Sequence, residues 1–115
     1  MTDITERTFR FPLDILKLFR NINRDYSADK NILSKQLLRS GTSIGANVEE
    51  AQSGQSRADF ISKMSIALKE ARETHYWLRL LAAAELVKAE DIADLIREAD
   101  EVKRIIGAIV VSSKK

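Results

Sequence analysis

The residues that could do chemistry in this sequence are one histidine, scattered carboxylates and regularly spaced cations. The chain has a single histidine, His75, and no cysteine, which excludes thiolate metal sites, cysteine nucleophiles and multi-histidine centres. A di-iron bundle needs Glu-x-x-His on two helices, but the residue three before His75 is Arg72. Neither a Gly-rich phosphate loop nor a G-x-S-x-G elbow occurs. The sequence therefore predicts a protein that is not an enzyme, with no cofactor, metal or small-molecule substrate.

Cations at helical spacing suit phosphate contacts, because each Lys or Arg can neutralise a backbone phosphate. The preferred nucleic-acid-binding candidates lie in the first half of the chain: Lys17, Arg20, Arg24, Lys35 and Arg39. A second set interleaves an aromatic residue with cations, as nucleic-acid surfaces often do: Lys69, Arg72, Tyr76 and Arg79. Glu70 and Glu73 flank this second set and should blunt its potential. A solvated face with ordinary ion pairs is the alternative for both sets, since the net charge is only +2.

The elements that position these residues are four amphipathic helices. Apolar residues at steps of three and four predict helices over about 12–25, 30–52, 56–86 and 90–111. Pro12 suits a first helical turn, Gly54 a left-handed cap, and Ser56 with Asp59 a capping pattern. We expect an all-α, antiparallel up-and-down four-helix bundle forming one domain over residues 1–115. No run of about 20 apolar residues is present, so we expect a cytoplasmic protein with no membrane partner.

Helix 2 carries two interior glycines four residues apart, Gly41 and Gly45, each costing about 1 kcal/mol of helix propensity. Close approach of another backbone explains them, within the bundle or between subunits, and a ligand groove is a third possibility. Asn47 and Glu50 lie beside this ridge. We expect both to be helix-packing residues that fix register or a subunit contact.

Helix 3 is apolar over too wide an arc for a monomeric bundle. Beside its core stripe it carries Ile66, Trp77 and Leu80, with Tyr76 next to them. Exposed aromatic residues often mark interfaces, so these four are interface candidates. Self-association and a well-covered monomer core are the two interpretations.

The helix 2 stretch Leu37-Leu38-Arg39-Ser40, followed by Ser43-Ile44-Gly45-Ala46-Asn47-Val48-Glu49-Glu50-Ala51, resembles the S-I-x-x-N-I-x-E-x signature of a bacterial four-helix-bundle family. Its members are encoded in intervening sequences of 23S ribosomal RNA genes. A related branch comprises the accessory variability proteins of diversity-generating retroelements. The run from Phe60 to Leu78 is similar to the third helix of the family.

This resemblance implies a bundle that associates as a homopentameric barrel without established enzymatic activity. It implies nucleic acid or a reverse transcriptase as possible partners, as in the retroelement branch. Gly45-Ala46 replaces a common proline-serine pair, and the branch stays open. We expect a non-enzymatic oligomeric scaffold that binds structured RNA or an RNA-handling protein. The alternative is a protein-only interaction module using the aromatic surface of helix 3.

Overall fold

The computed structural model describes residues 3–115. These residues form four helices and no strand. They are α1 (Ile4–Ile22), α2 (Ala28–Gln52), α3 (Arg57–Ala83) and α4 (Ala89–Ser113). The predicted all-α four-helix fold is confirmed. No helix in residues 3–115 is long and apolar enough to cross a membrane.

The helices stand at the corners of a square prism of 46 × 20 × 20 Å. Each helix contacts its neighbours in chain order and α1 contacts α4, whereas within residues 3–115 neither diagonal pair brings Cα atoms within 8 Å of each other. Short connections between successive neighbours give the up-and-down arrangement. The core is a continuous cluster of buried side chains, whose largest fully buried members include Phe11, Ile15, Leu37, Ile44, Met64, Leu78, Leu81, Ile92 and Ile106.

Helix α1 begins eight residues earlier than the sequence suggested, and Pro12 lies inside it. The prediction that Pro12 opens the helix is wrong because Thr8 and Phe11, both buried, extend the apolar face of Ile15 back toward the N-terminus. Proline at position 12 removes the hydrogen bond that its N–H would give to the Thr8 carbonyl. The helix also ends at Ile22, which leaves Tyr26 in the connection with 69% of its surface exposed.

The glycines of α2 let α1 approach α2 closely. A Cβ atom at Gly45 would collide with the Thr8 carbonyl oxygen, which is the acceptor that Pro12 leaves without its helical donor. A Cβ at Gly41 would lie 2.5 Å from Cδ1 of Ile15. Both glycines therefore serve packing within the bundle, but Gly45 faces backbone and Gly41 faces the end of a side chain.

Two helix ends differ from the sequence expectation. Gly54 does not have a positive φ, so it is not the left-handed cap we predicted. The left-handed residue is Glu85, with φ 59°, and it ends α3 three residues before the predicted boundary. The Glu85 N–H donates to Ala82 and the Leu86 N–H donates to Leu81, which is a Schellman motif. The predicted cap at Ser56 is confirmed, since its side chain accepts from the Asp59 N–H at 3.1 Å.

Alanine substitution should change the free energy of unfolding differently at two helical glycines, because their surroundings differ. Gly45→Ala should lower the free energy of unfolding by about 1–3 kcal/mol, because overpacking against backbone exceeds the gain in helix propensity. Gly107 is the matched control, since a Cβ there meets only Cδ1 of Leu68, at 3.8 Å. Gly107→Ala should stabilise the protein by up to about 1 kcal/mol. Urea denaturation of both variants measures the difference, and equal effects would show that α1 does not press on Gly45.

Candidate nucleic-acid interface

The first set of cations is divided between two helices. Lys17, Arg20 and Arg24 are exposed on α1, whereas Lys35 lies on α2. Lys17 lines a groove that also contains Asp14, Asp91 and Asp94, and Arg24 lines another with Asp25 and Asp91. Lys35 lines a third groove, between α1 and α2. Carboxylates thus accompany the α1 cations in their grooves.

Arg39, the fifth member of that set, is engaged by two carboxylates of α3. Its Nη1 lies 3.4 Å from Oε2 of Glu70, and its Nη2 forms an ion pair with Glu73. Glu70 is only 8% exposed, and a buried carboxylate needs such a partner. Two carboxylates therefore already compete with any phosphate for Arg39, and its assignment to a nucleic-acid-binding surface stays a prediction.

The pairing of Arg39 also affects the second set of cations, because it engages the two carboxylates that flank them. Glu70 and Glu73 were expected to weaken it, but both turn toward α2 and Arg39. Lys69, Arg72 and Arg79 are exposed, and in residues 3–115 none of the three forms an ion pair. Tyr76 stands among them, 49% exposed. We call these four residues the basic ridge, and it is the candidate nucleic-acid interface.

Helix α4 adds two cations that sequence reasoning missed, Lys103 and Arg104. Lys103 Nζ lies 3.5 Å from Nδ1 of His75, and Arg79 and Arg104 are close enough to affect the same ring electrostatically. Asp100 is shared between both cations, at 3.3 Å from Lys103 Nζ and 2.8 Å from Arg104 Nε. One carboxylate against two cations leaves a positive excess beside the ridge. No sequence signal fixed the rotation of α4 against α3, which is why these residues were missed.

The half-buried ring of His75 lies in this positive environment, which affects its pKa. Burial lowers the pKa of His75 below its ordinary value of 6.5, the charges of Lys103 and Arg79 lower it further, and Asp100 opposes them. A depressed histidine pKa means that the folded protein loses stability as the pH falls below the unfolded value. His75 is accordingly neutral at pH 7, with Lys103 facing its Nδ1 atom.

The interface candidates on α3 are less uniform than their spacing suggested. Ile66 and Tyr76 are exposed, Leu80 is half-buried, and Trp77 packs against the core. The Tyr76 and Trp77 rings meet edge to face at 5.0 Å. The indole N–H of Trp77 is buried and finds no acceptor among the described residues. Trp77 is thus partly a core residue, and Ile66 is the cleaner probe of the surface.

The two polar helix-packing candidates lie outside the contact between α1 and α2. Asn47 is half-buried and donates to the Ser43 carbonyl of its own helix at 2.9 Å. Glu50 is exposed and lies 3.5 Å from Lys63 of α3. Glu50 is exposed, where an ion pair stabilises little, so it does not pack against the glycines within the protomer; its role in a subunit contact stays a prediction.

An exposed apolar groove lies between α1 and α2, next to the glycines for which the sequence left a ligand groove as a third possibility. The groove is lined by Pro12, Leu13, Leu16, Lys35, Leu38, Arg39 and Thr42 and has a volume of about 500 Å³. A smaller depression continues it past Phe9, Ala46 and Glu49. Phe9 and Leu13 are 61% and 50% exposed. We call the two together the α1/α2 groove.

Cations and apolar side chains are the exposed groups of this surface that could contact a ligand. In the part of the chain that the structure describes, no three His, Cys, Asp or Glu side chains gather in a way that could hold a metal ion. The carboxylates nearest the ridge are Glu70, Glu73 and Asp100, and each forms an ion pair. What remains available is a row of cations and an apolar groove.

Known proteins are similar to this chain in sequence and in fold. A crystal structure of a protein with unknown function from the S23 ribosomal protein family, from Bacteroides thetaiotaomicron, is 39% identical to this chain. It covers 94% of this chain, which in turn covers 98% of that one, and the two superpose with a TM-score of 0.84. No curated protein matches. The family of 23S rRNA-intervening sequence proteins matches residues 2–108. Sequence and fold agree over nearly the whole length, so the chain belongs to the family of 23S rRNA-intervening sequence proteins.

Proposed function

We propose that this protein is a non-enzymatic, self-associating scaffold that binds structured RNA through the basic ridge of α3. The observation that carries the proposal is that Arg39 of α2 forms ion pairs with both carboxylates that flank the ridge, Glu70 and Glu73. The ridge is thereby left with three cations and one aromatic ring facing solvent. Family membership supports the choice of RNA, since the family is described by its connection to 23S rRNA.

The dimensions of the ridge suit backbone contacts. Ten residues separate Lys69 from Arg79, which is about 15 Å along a helix. Phosphate contacts of this kind recognise charge and shape rather than base sequence. Tyr76 offers a ring on which an unpaired base could stack. The ridge is thus suited to a folded RNA with both duplex and looped parts.

Self-association is the second part of the proposal. A protomer with net charge +2 offers few phosphate contacts, and affinity depends steeply on their number. Exposed apolar residues on two parts of the surface, Phe9 and Leu13 on α1 and Ile66 on α3, support an assembly. A homopentamer is the form that the family resemblance implies.

A protein-only interaction module is the competing function. It is favoured by the α1/α2 groove, whose apolar lining could hold a helix of a partner chain, including a reverse transcriptase. RNA binding requires the cations of the ridge, whereas the protein-only module does not. The dependence of RNA affinity on salt concentration can distinguish the two functions.

Neutralising the ridge should weaken RNA binding. For Lys69→Gln, Arg72→Gln and Arg79→Gln together, the slope of log Kd against log salt should fall by about 2, because each lost phosphate contact removes about 0.7–0.9. Fluorescence anisotropy with an RNA hairpin between 50 and 200 mM salt measures the slope. The matched control carries the same loss of charge on α1: Lys17→Gln, Arg20→Gln and Arg24→Gln.

The control variant should keep most of the native slope. If it loses more than the α3 variant, the RNA face is on α1 and the ridge is the wrong surface. Absence of any native binding at about 50 mM salt, where a cationic surface binds most strongly, would favour the protein-only module.

Bound RNA should raise the pKa of His75. Its pKa is depressed by burial and by the charges of Lys103, Arg79 and Arg104, and phosphates near those cations would offset the second cause. Because His75 is the only histidine, its ring resonances in an NMR pH titration need no assignment. A pKa that does not move in the RNA complex would place the RNA away from the α3/α4 face.

The native protein should be larger than one protomer in solution. Light scattering at micromolar concentration should give a multiple of 13.0 kDa, about 65 kDa for a pentamer. A mass of 13 kDa would contradict self-association and leave RNA binding to be explained by a monomer.

A further inference from the structure

The seam between α3 and α4 collects hydrogen-bond donors beside the basic ridge. His75 lies there on α3, half-buried, with Lys103 and Arg104 of α4 close to its ring. Arg79, the last cation of the ridge, follows His75 by one turn of the same helix and acts on the same ring. The ridge and the seam are therefore parts of one surface. We call His75, Lys103 and Arg104 the seam site.

The contact with Lys103 determines which nitrogen of His75 carries the proton. Lys103 Nζ lies 3.5 Å from Nδ1 of His75, and an ammonium group can only donate. The neutral ring must therefore accept at Nδ1 and carry its proton on Nε2. Within residues 3–115, Nε2 has no hydrogen-bond partner, and Nε1 of Trp77 is the one buried polar side-chain atom left without a partner there. The Nε2–H donor of His75 is thus open to solvent.

The charges around this donor are unbalanced. Asp100 lies 3.3 Å from Lys103 Nζ and 2.8 Å from Arg104 Nε, so one carboxylate holds two cations in place. Arg79 forms no ion pair within residues 3–115. Three cations therefore act on the ring of His75 against one carboxylate. A phosphate group suits this surrounding, because its oxygens only accept hydrogen bonds and its charge balances the excess.

We propose that the seam site binds one phosphate group of the RNA, with the Nε2–H of His75 and the cationic groups of Lys103 and Arg104 as its donors. The proposal rests on the RNA binding proposed above and extends that interface from α3 onto α4. Asp100 is then a positioning residue, because it holds both cations and, as an anion, is not itself a phosphate ligand. A half-buried ring loses less conformational entropy on binding than the exposed side chains of the ridge, so the seam site fixes the register of the RNA backbone.

The seam site makes the affinity for RNA depend on pH. The charged groups that act on the ring come from its own helix and from α4: Lys103, Arg79, Asp100 and Arg104. Arg39 of α2 is engaged by two carboxylates of α3 instead. Burial lowers the pKa of His75, and the cations lower it further against the opposing charge of Asp100. A phosphate beside the ring offsets the cations and raises this pKa in the complex. By linkage, the affinity rises as the pH falls from the pKa of the complex to that of the free protein, and it is constant outside this range.

A pH series and a salt series with an RNA hairpin, both measured by fluorescence anisotropy, test the seam site independently. The affinity of the native protein should rise about tenfold from about pH 8 to about pH 5, which corresponds to a pKa raised by about one unit in the complex. His75→Gln keeps a side-chain donor but cannot take up a proton, so this rise should disappear. Arg104→Gln leaves Asp100 to neutralise Lys103, so the slope of log Kd against log salt should fall by about 1.

Arg10→Gln is the matched control. Arg10 is similarly exposed on α1 and is paired with Glu6 one turn before it, as Arg104 is with Asp100. The control should keep the native pH dependence and the native salt slope. A hairpin with and without a 5′-terminal phosphate identifies the bound group: equal affinities assign a phosphate of the backbone, and tighter binding of the phosphorylated hairpin assigns the terminal one.

Two negative outcomes separate the seam site from the function on which it rests. If the native protein does not bind the hairpin at about 50 mM salt, where a cationic surface binds most strongly, RNA binding fails and the seam site fails with it. If the native protein binds and either His75→Gln or Arg104→Gln behaves as the native protein does, the seam site fails while the ridge stands. Circular dichroism checks that each variant is folded, and Arg104, whose side chain is 75% exposed, keeps the test valid should His75→Gln unfold.

Discussion

The close approach of α1 to α2 at Thr8 and Gly45 determines how the rest of the bundle is built. Pro12 takes away the helical donor of the Thr8 carbonyl, and Gly45 has no side chain to keep that carbonyl at a distance. A proline inside a helix costs about 3 kcal/mol when nothing compensates, so the packing of Phe11 and Ile15 must offset it. Phe9 and Leu13 lie exposed beside this contact and line the α1/α2 groove.

Arg39 has a comparable influence on the surface, because it decides which charges of α3 remain free. A carboxylate as buried as Glu70 is destabilising by several kcal/mol without a partner, and Arg39 provides one from the neighbouring helix. In doing so it draws two carboxylates of α3 toward α2, while the cations of the basic ridge face solvent. One guanidinium thus connects the stability of the bundle with the electrostatics of its outer face.

The sequence predicted the parts of the structure that depend on local patterns. Steps of three and four identified all four helices, and the pattern at Ser56 identified a cap. It failed where distant residues decide the outcome: Pro12 lies inside α1 because of its contacts with α2, and Glu85 adopts φ 59° without glycine. The candidate site shows the same division. The spacing of the ridge residues could be seen in the sequence. The pairing of Glu70 and Glu73 could not, because it depends on Arg39, which is 31 residues away from Glu70.

The proposed self-association bears directly on the proposed RNA binding, because every subunit carries its own basic ridge on α3. In the proposed assembly each added subunit would contribute three further cations that form no ion pair within residues 3–115. The salt-dependent part of the affinity grows with every phosphate neutralised. The number of subunits would therefore matter more for binding a polyanion than the protomer's net charge of +2.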